Sequence, residues 1–164
     1  MAQQLGLSVR DMTCGDLAAC TWAGPPEHLA QMRAAIERSA TGLVDYLAIL
    51  DDSGAIVGSC GIDYLPYPDT GYLWQLTVHP DMRSRGIGTI LIAAAERRIV
   101  ARGLHLARLD VELRNVGAHR LYYRLGYNDE VRREVSWYER RPGGVLVLHV
   151  QPCMGMVKSL MTRR

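Results

Sequence analysis

The pattern of apolar residues predicts an α/β fold, a central mixed and mostly antiparallel sheet of about seven strands flanked by about four helices. Two observations carry that expectation. Stretches with an apolar residue at every second position, such as 72–79 and 108–114, are interleaved with stretches whose apolar residues recur at helical spacing, such as 87–99. Two β-rich runs, 44–50 and 55–65, are separated only by Asp51-Asp52-Ser53-Gly54, whose turn chemistry makes a hairpin the natural connection. A hairpin requires antiparallel pairing, whereas strand–helix–strand passages permit parallel neighbours, so the sheet is mixed.

The elements follow in order. Residues 5–10 read as a short first strand, and residues 11–13 begin a helical pass through Asp16, Leu17 and Ala18 that Pro25 and Pro26 break. In 27–40, Leu29, Met32, Ile36 and Ala40 form an apolar stripe at spacings of three and four. After the hairpin and a turn-like Pro66-Tyr67-Pro68-Asp69, the even positions 72, 74, 76 and 78 are all apolar, which commits one strand face to packing. Pro80 ends that strand, and a glycine-punctuated turn opens a helix bearing Ile87, Ile90, Leu91, Ala94, Ala95 and Ile99 on one side, closed by Gly103. Residues 108–114 alternate charged and apolar side chains. Asn115 is placed to cap a short helix with Ala118, Leu121, Tyr122 and Leu125, which Gly126 stops. Strands at about 130–138 and 145–150, joined through Arg141-Pro142-Gly143-Gly144, complete the sheet. With no repeat and no linker, residues 1–164 read as a single domain. Its Met-rich tail, 152–164, is either docked on that domain or an interface for a homodimer.

A chain of 164 residues with 48% apolar and 22% charged side chains falls in the globular range, which excludes a disordered or fibrous protein. It has no apolar run of membrane-spanning length and no signal-like opening, so a cytoplasmic location without membrane association is expected. A net charge of +2 provides no broad basic field and argues against nucleic-acid binding, while leaving room for a local anion site. Lys158 is the one lysine; the remaining positive charge is arginine, whose planar fork suits phosphate and carboxylate. Cys14, Cys20, Cys60 and Cys153 fit no zinc spacing, so reduced packing thiols and no metal are expected.

The segment Arg83-Ser84-Arg85-Gly86-Ile87-Gly88-Thr89 lies between an expected strand and the first turn of an expected helix. A helix start leaves about four N–H groups without intrahelical partners and carries roughly half a positive charge. Glycines at 86 and 88 clear the approach to those donors, and Arg83 and Arg85 add charge, so a pyrophosphate fits. An ordinary strand-to-helix turn with exposed arginines is the bland alternative. A dinucleotide fingerprint fits worse, because Leu91 occupies the place of the third glycine and a tight hairpin precedes the turn.

On these residues the chain resembles the GCN5-related N-acetyltransferase (GNAT) superfamily, whose acetyl-CoA loop reads Arg/Gln-x-x-Gly-x-Gly/Ala. Arg83-Ser84-Arg85-Gly86-Ile87-Gly88 matches it, preceded by Leu76-Thr77-Val78-His79-Pro80. Leu109-Asp110-Val111, Asn115, Ala118, Leu121-Tyr122 and Leu125-Gly126-Tyr127 match a second stretch of the family in the same order. The resemblance implies a sheet that splays between its fourth and fifth strands to admit the pantetheine arm of acetyl-CoA. It places Leu76, Thr77 and Val78 along that arm, with a backbone N–H polarising the thioester carbonyl, Ser84 to Thr89 around the pyrophosphate, and Asn115 beside the cofactor.

It also implies direct attack of a neutral amine on the thioester, in a ternary complex. Tyr122 matches the family's acid, a phenol that protonates the departing thiolate; packing between Leu121 and Leu125 is its bland reading. Asp110 matches a position where some relatives that acetylate protein N-termini carry a glutamate base, here one carbon shorter; charge pairing with arginines such as Arg108 and Arg114 is its equal alternative, and Glu112 or a water chain are other routes for the proton. Gln75 and Thr77 stand where other members place a glutamate. His79 and His119 read as structural, and Asp63, Tyr64, Tyr67 and Asp69 as a candidate acceptor loop. The acceptor classes implied are a small metabolite, an amine antibiotic, a polyamine, or a protein or peptide N-terminus. A non-catalytic acyl-CoA-binding or sensing module is the competing function.

Overall fold

The computed structural model describes residues 6–161; Leu5 of the expected first strand and residues 162–164 of the expected tail lie outside the described residues. Its seven strands belong to an open mixed sheet, the expected class, and the chain divides into two compact units, Met1–His105 and Leu106–Arg164.

In the first unit, β1 (Ser8–Asp11), β2 (Val44–Leu50), β3 (Ile56–Asp63) and β4 (Thr70–Val78) pair antiparallel in sequence order. The β2–β3 turn is built as its residues suggest. Asp51 Oδ1 accepts bonds from the Ser53 N–H (2.9 Å), the Ser53 hydroxyl (2.6 Å) and the Ala55 N–H (3.1 Å), and Gly54 takes a φ of 81°. The first helical pass is only a 3-10 turn, Cys14–Ala19, because Asp16 folds back onto the Thr13 N–H (2.8 Å) and closes it tightly. Pro26 then opens α1 (Pro26–Ser39), where its missing N–H costs nothing.

The two faces of this unit carry separate cores. On one, Met12, Leu17 and Cys20 join Met32, Ala35 and Ile36 of α1 over Tyr46, Ala48 and Ile56. The other receives α2 (Ile87–Ala101), whose Ile87, Leu91, Ile92, Ala95 and Ile99 are each at most 1% exposed. Each of the isoleucine and leucine side chains among them contributes about 1.5–3 kcal/mol of burial. Gly71 is required beneath α2, since a Cβ there would collide with Ile99.

The alternation expected along β4 breaks at Gln75. Gly61 pairs with Trp74 but Ser59 pairs with Thr77, so β4 carries one residue more than β3 across this step. Gln75 takes a left-handed φ of 53°, the geometry of a β-bulge. Tyr72 and Trp74 therefore share a face with Thr77, while Leu76 and Val78 turn to the opposite one. The even positions do not form one packing face; the extra residue reverses their parity.

In the second unit, β5 (Leu106–Glu112) leads to α3 (Val116–Arg124), and β6 (Asn128–Arg140) and β7 (Leu146–Ser159) follow; β7 pairs antiparallel with both β5 and β6. Residues 152–159, expected as part of a tail, are the second half of β7. Met156 lies opposite Leu109 and is 1% exposed, so the methionines there are core and ladder residues. Pro152 and Gly155 concealed the strand, being residues that strands disfavour.

Candidate active site

The end of β4 runs through a 3-10 turn, Pro80–Met82, into residues 83–86 and then α2. The His79 Nδ1 accepts the Asp81 N–H at 3.1 Å, so the ring is used to shape this turn. Ser84 has a φ of 60° and Gly86 one of 79°, and residues 83–86 are exposed. A Cβ at Gly86 would meet nothing within 4 Å; glycine is there for its left-handed backbone, with open space in front of it. Turns that combine left-handed with right-handed residues can align successive N–H groups as an anion-binding concavity.

Gly86 is the N-cap of α2 and supplies no side-chain cap, and the helical ladder begins with the Ile90 N–H on the Gly86 carbonyl at 3.1 Å. The N–H groups of Ile87, Gly88 and Thr89 precede that first bond, at the positive end of a 15-residue helix. Arg85 is exposed beside them. Arg83 is partly committed, its Nε donating to the Val78 carbonyl at 3.4 Å and fastening the turn to the strand end. Leu76, Thr77 and Val78 are half-buried, and Thr77 Oγ1 donates to the Gln75 carbonyl at 3.2 Å.

The bulge itself went unread in the sequence. Tyr46, 1% exposed, donates its hydroxyl to Gln75 Oε1 at 2.9 Å, and Trp74 meets the Tyr46 ring edge-on at 6.0 Å. Burial pushes the Tyr46 phenol well above its usual range, so it stays a donor and holds the carboxamide in one orientation. A polar Gln among apolar neighbours was the only available signal. A cavity of about 450 Å³ also opens beside the β4 terminus, lined in part by Arg10, Trp22, Ile56, His79, Asp81 and Met82.

The candidate acceptor loop is engaged elsewhere. Asp63 bonds Arg38 at 3.0 Å, the Tyr64 hydroxyl donates to Asp45 at 2.6 Å beneath the Arg102 guanidinium, and Asp69 holds His105 at 3.0 Å. These contacts give Asp63, Tyr64 and Asp69 structural partners within the first unit, while Tyr67 meets the Tyr72 ring at 6.0 Å.

In the second unit, Asn115 caps α3 by accepting the Ala118 N–H at 3.2 Å. Tyr122 is half-buried on α3, its ring edge-on to the fully buried Tyr127 at 6.2 Å. Asp110 is paired with Arg133 (Oδ1 to Nε, 3.2 Å), at side-chain exposures of 11% and 29%. Its expected partners lie elsewhere: Arg108 pairs with Glu130, and Arg114 with Glu112 at 2.9 Å. The bridge crosses β7 over Gly155, where a Cβ would sit 2.8 Å from Arg133 Nη2 and 3.2 Å from Asp110 Oδ1. His119 holds Asp129 at 2.7 Å. Among the described residues no three His, Cys, Asp or Glu side chains gather to hold a metal.

The fourth strand of an open mixed sheet leads through this turn to a helix start with Gly86 as N-cap and no side-chain cap, an arrangement that proteins in general use to hold phosphorylated ligands by backbone N–H groups. The family follows from comparison. A family model described as the acetyltransferase (GNAT) family matches residues 12–127, and the chain belongs to that family. An acetyltransferase of Yersinia enterocolitica is 33% identical over 95 residues, covering 58% of this chain and 66% of the relative. One of Pectobacterium atrosepticum is 35% identical over 92 residues, covering 56% and 64%. The matched part thus spans just under two thirds of each relative.

Solved structures share the fold. The spermidine/spermine N-acetyltransferase of Vibrio cholerae superposes with a TM-score of 0.71 at 17% identity, covering 94% of this chain and 92% of that one. An N-acetyltransferase of Thermoplasma acidophilum in complex with coenzyme A does so at 0.67 and 18%, covering 94% and 99%. The ribosomal-protein-alanine N-acetyltransferase of Escherichia coli does so at 0.67 and 18%, covering 96% of each.

Proposed function

We propose that this chain is a single-domain N-acetyltransferase that moves the acetyl group of acetyl-CoA to a primary amine by direct attack in a ternary complex. The observation that carries the reading is the start of α2: Ser84 and Gly86 at positive φ, no side-chain cap, and open space at Gly86. The N–H groups of Ile87, Gly88 and Thr89 hold the diphosphate, with Arg85 adding charge and Arg83 bracing the turn. Leu76, Thr77 and Val78 receive the pantetheine arm along β4. Support comes from family membership and from a structural relative solved with coenzyme A.

The reaction has two proton problems. An alkylammonium with a pKa of about 10 must lose a proton before its nitrogen attacks the carbonyl carbon, and a thiolate whose acid has a pKa of about 8.5 leaves as the carbon–sulfur bond breaks. Tyr122 supplies the proton to sulfur. Asp110, the base suggested by resemblance, sits in an ion pair with Arg133 that favours a positioning role, and water carries the amine proton away. Asn115 spends its side-chain oxygen on the α3 cap and still borders the cofactor through its backbone. The acceptor class is an amine of small size or a peptide N-terminus, the range spanned by the spermidine and ribosomal-protein-alanine enzymes that share the fold.

The test is thiol release from acetyl-CoA against a panel of polyamines, amino sugars and short peptides, with calorimetry of coenzyme A binding in parallel. Thiol release that requires an amine, with measurable heat of binding, is expected. Heat without thiol release assigns the chain to an acyl-CoA-sensing role, and neither signal overturns the phosphate site.

A further inference from the structure

The kink in β4 presents a chemical group as well as reversing the strand's parity. Tyr46 belongs to the core beneath α1 and Trp74 packs against that core, so the carboxamide that Tyr46 holds lies on the same side of the sheet. Gly61, opposite Trp74, is needed there because a Cβ would collide with the indole ring. Asp63, on the same face of β3 as Gly61, is held by Arg38 at 3.0 Å, so its charge is already neutralised.

A primary carboxamide has one accepting oxygen and two donating N–H bonds. The buried Tyr46 phenol donates to that oxygen at 2.9 Å, which fixes the amide plane and directs the NH2 away from the phenol. Among the described residues this NH2 has no hydrogen-bond partner, and Gln75 is only half-buried, so two oriented donors are open to a ligand. They stand one residue before Leu76, where β4 takes up the pantetheine arm in the proposed reaction. A polyamine has no oxygen to accept these N–H bonds, and the neutral carboxamide gives its charge no counterion.

On the acetyl-transfer reading of this site, we propose that Gln75 sets acceptor specificity by donating to an oxygen carried next to the reacting amine. The acceptor is therefore an α-amino amide, the N-terminus of a peptide or an amino-acid amide, in preference to a polyamine. A site built to bond a substrate atom penalises an analogue that lacks it, since its own donors are then left unpaired. Ionisation works in the same direction, because a carboxamide is no base and the neutral fraction of the amine limits the attack. At pH 7 about a tenth of an α-amine of pKa about 8 is neutral, against about four parts in ten thousand of a lysine-like amine of pKa about 10.4. Tyr46 is a positioning residue, since without its hydroxyl the carboxamide is free to rotate.

The experiment compares kcat/KM for glycinamide, a dipeptide amide and spermidine at saturating acetyl-CoA, by thiol release, in wild type, Gln75→Leu, Gln75→Glu and Tyr46→Phe. The wild type is expected to favour the two amides over spermidine at least about tenfold. Gln75→Leu raises the KM of the amides about fivefold and leaves that of spermidine within about twofold, while Tyr46→Phe raises the KM of the amides about threefold. Gln75→Glu, which places a carboxylate in the same hold, turns the preference toward spermidine. Coenzyme A affinity that stays within about twofold by calorimetry shows that each variant keeps its fold. Equal wild-type values for spermidine and the amides, or a ratio that none of the three substitutions moves while thiol release persists, overturns the role of Gln75 and leaves the acetyl-transfer reading standing. Absence of thiol release with every amine overturns both.

Discussion

Replacing Gly155 by alanine isolates the Asp110–Arg133 bridge without touching either charge. The new Cβ would lie 2.8 Å from Arg133 Nη2 and 3.2 Å from both Arg133 Nε and Asp110 Oδ1, so the guanidinium has to move. Its arm is flexible, and the backbone can stay in place. The cost is therefore the ion pair: Asp110, at 11% side-chain exposure, keeps its burial and loses a partner. Breaking a fully buried pair costs about 3–5 kcal/mol. Arg133 remains 29% exposed and water can reach the vacated side, so about 2–3 kcal/mol is expected, less a few tenths regained from glycine's lost backbone entropy. For a chain of this size that lowers the Tm by roughly 4–10 °C. Urea unfolding of wild type, Gly155→Ala, Asp110→Asn and the double variant measures it as a cycle. In the Asp110→Asn background the alanine is expected to cost less than about 1 kcal/mol. An equal loss in both backgrounds would show that Gly155 is needed for the strand itself, and the bridge argument would fall.

Four further outcomes are expected. Tyr122→Phe lowers turnover by about a hundredfold while coenzyme A affinity, followed by calorimetry, stays within about twofold. Gly86→Asp puts a Cβ and a negative charge where φ is 79°, so coenzyme A affinity falls at least about tenfold and stability by about 1 kcal/mol. The hydrogen bonds from Arg10 hold the Asp16 carboxyl at about 2, below its unfolded 3.8, so its contribution is present above pH 4 and lost as pH falls through 2. Asp16→Asn accordingly costs about 1–2 kcal/mol at pH 7, allowing for screening at the exposed Arg10, and nothing at pH 2 in acid-titrated unfolding. Burial pushes the Cys60 thiol up to about 12 and the Cys20 thiol up to about 11, so mass spectrometry after brief iodoacetamide treatment finds label on the half-buried Cys14 and not on these two until the chain unfolds.

Elements whose pattern is local were legible in the sequence. The Asp51–Gly54 hairpin, the stripes of α1 and α2, the alternation of β5 and the Asn115 cap each follow from neighbours within a few positions, and the structure places them as read, except that Ile90 of the α2 stripe is exposed and Ala40 lies exposed just past the end of α1. What escaped depends on partners far along the chain. Residues 152–159 look like a tail because Pro152 and Gly155 weaken the strand signal, yet pairing on both sides and the Arg133 crossing make glycine the fitting residue there. The bulge at Gln75 is set by Tyr46, 29 residues earlier, and by β3 opposite. Asp110's partner was misjudged for the same reason: nearby arginines were in view, and Arg133, 23 positions away, was not.

The extra residue in β4 also limits how this chain can be re-engineered. Because Gln75 reverses which way every later side chain of the strand points, the direction in which Val78 hands over to residues 83–89 depends on how many residues separate it from Trp74. Anyone grafting the proposed phosphate turn onto another scaffold would have to transplant the kink, and with it the phenol that pins it from β2. Deleting a single position upstream would leave the turn's composition intact and aim it at the wrong side of the sheet.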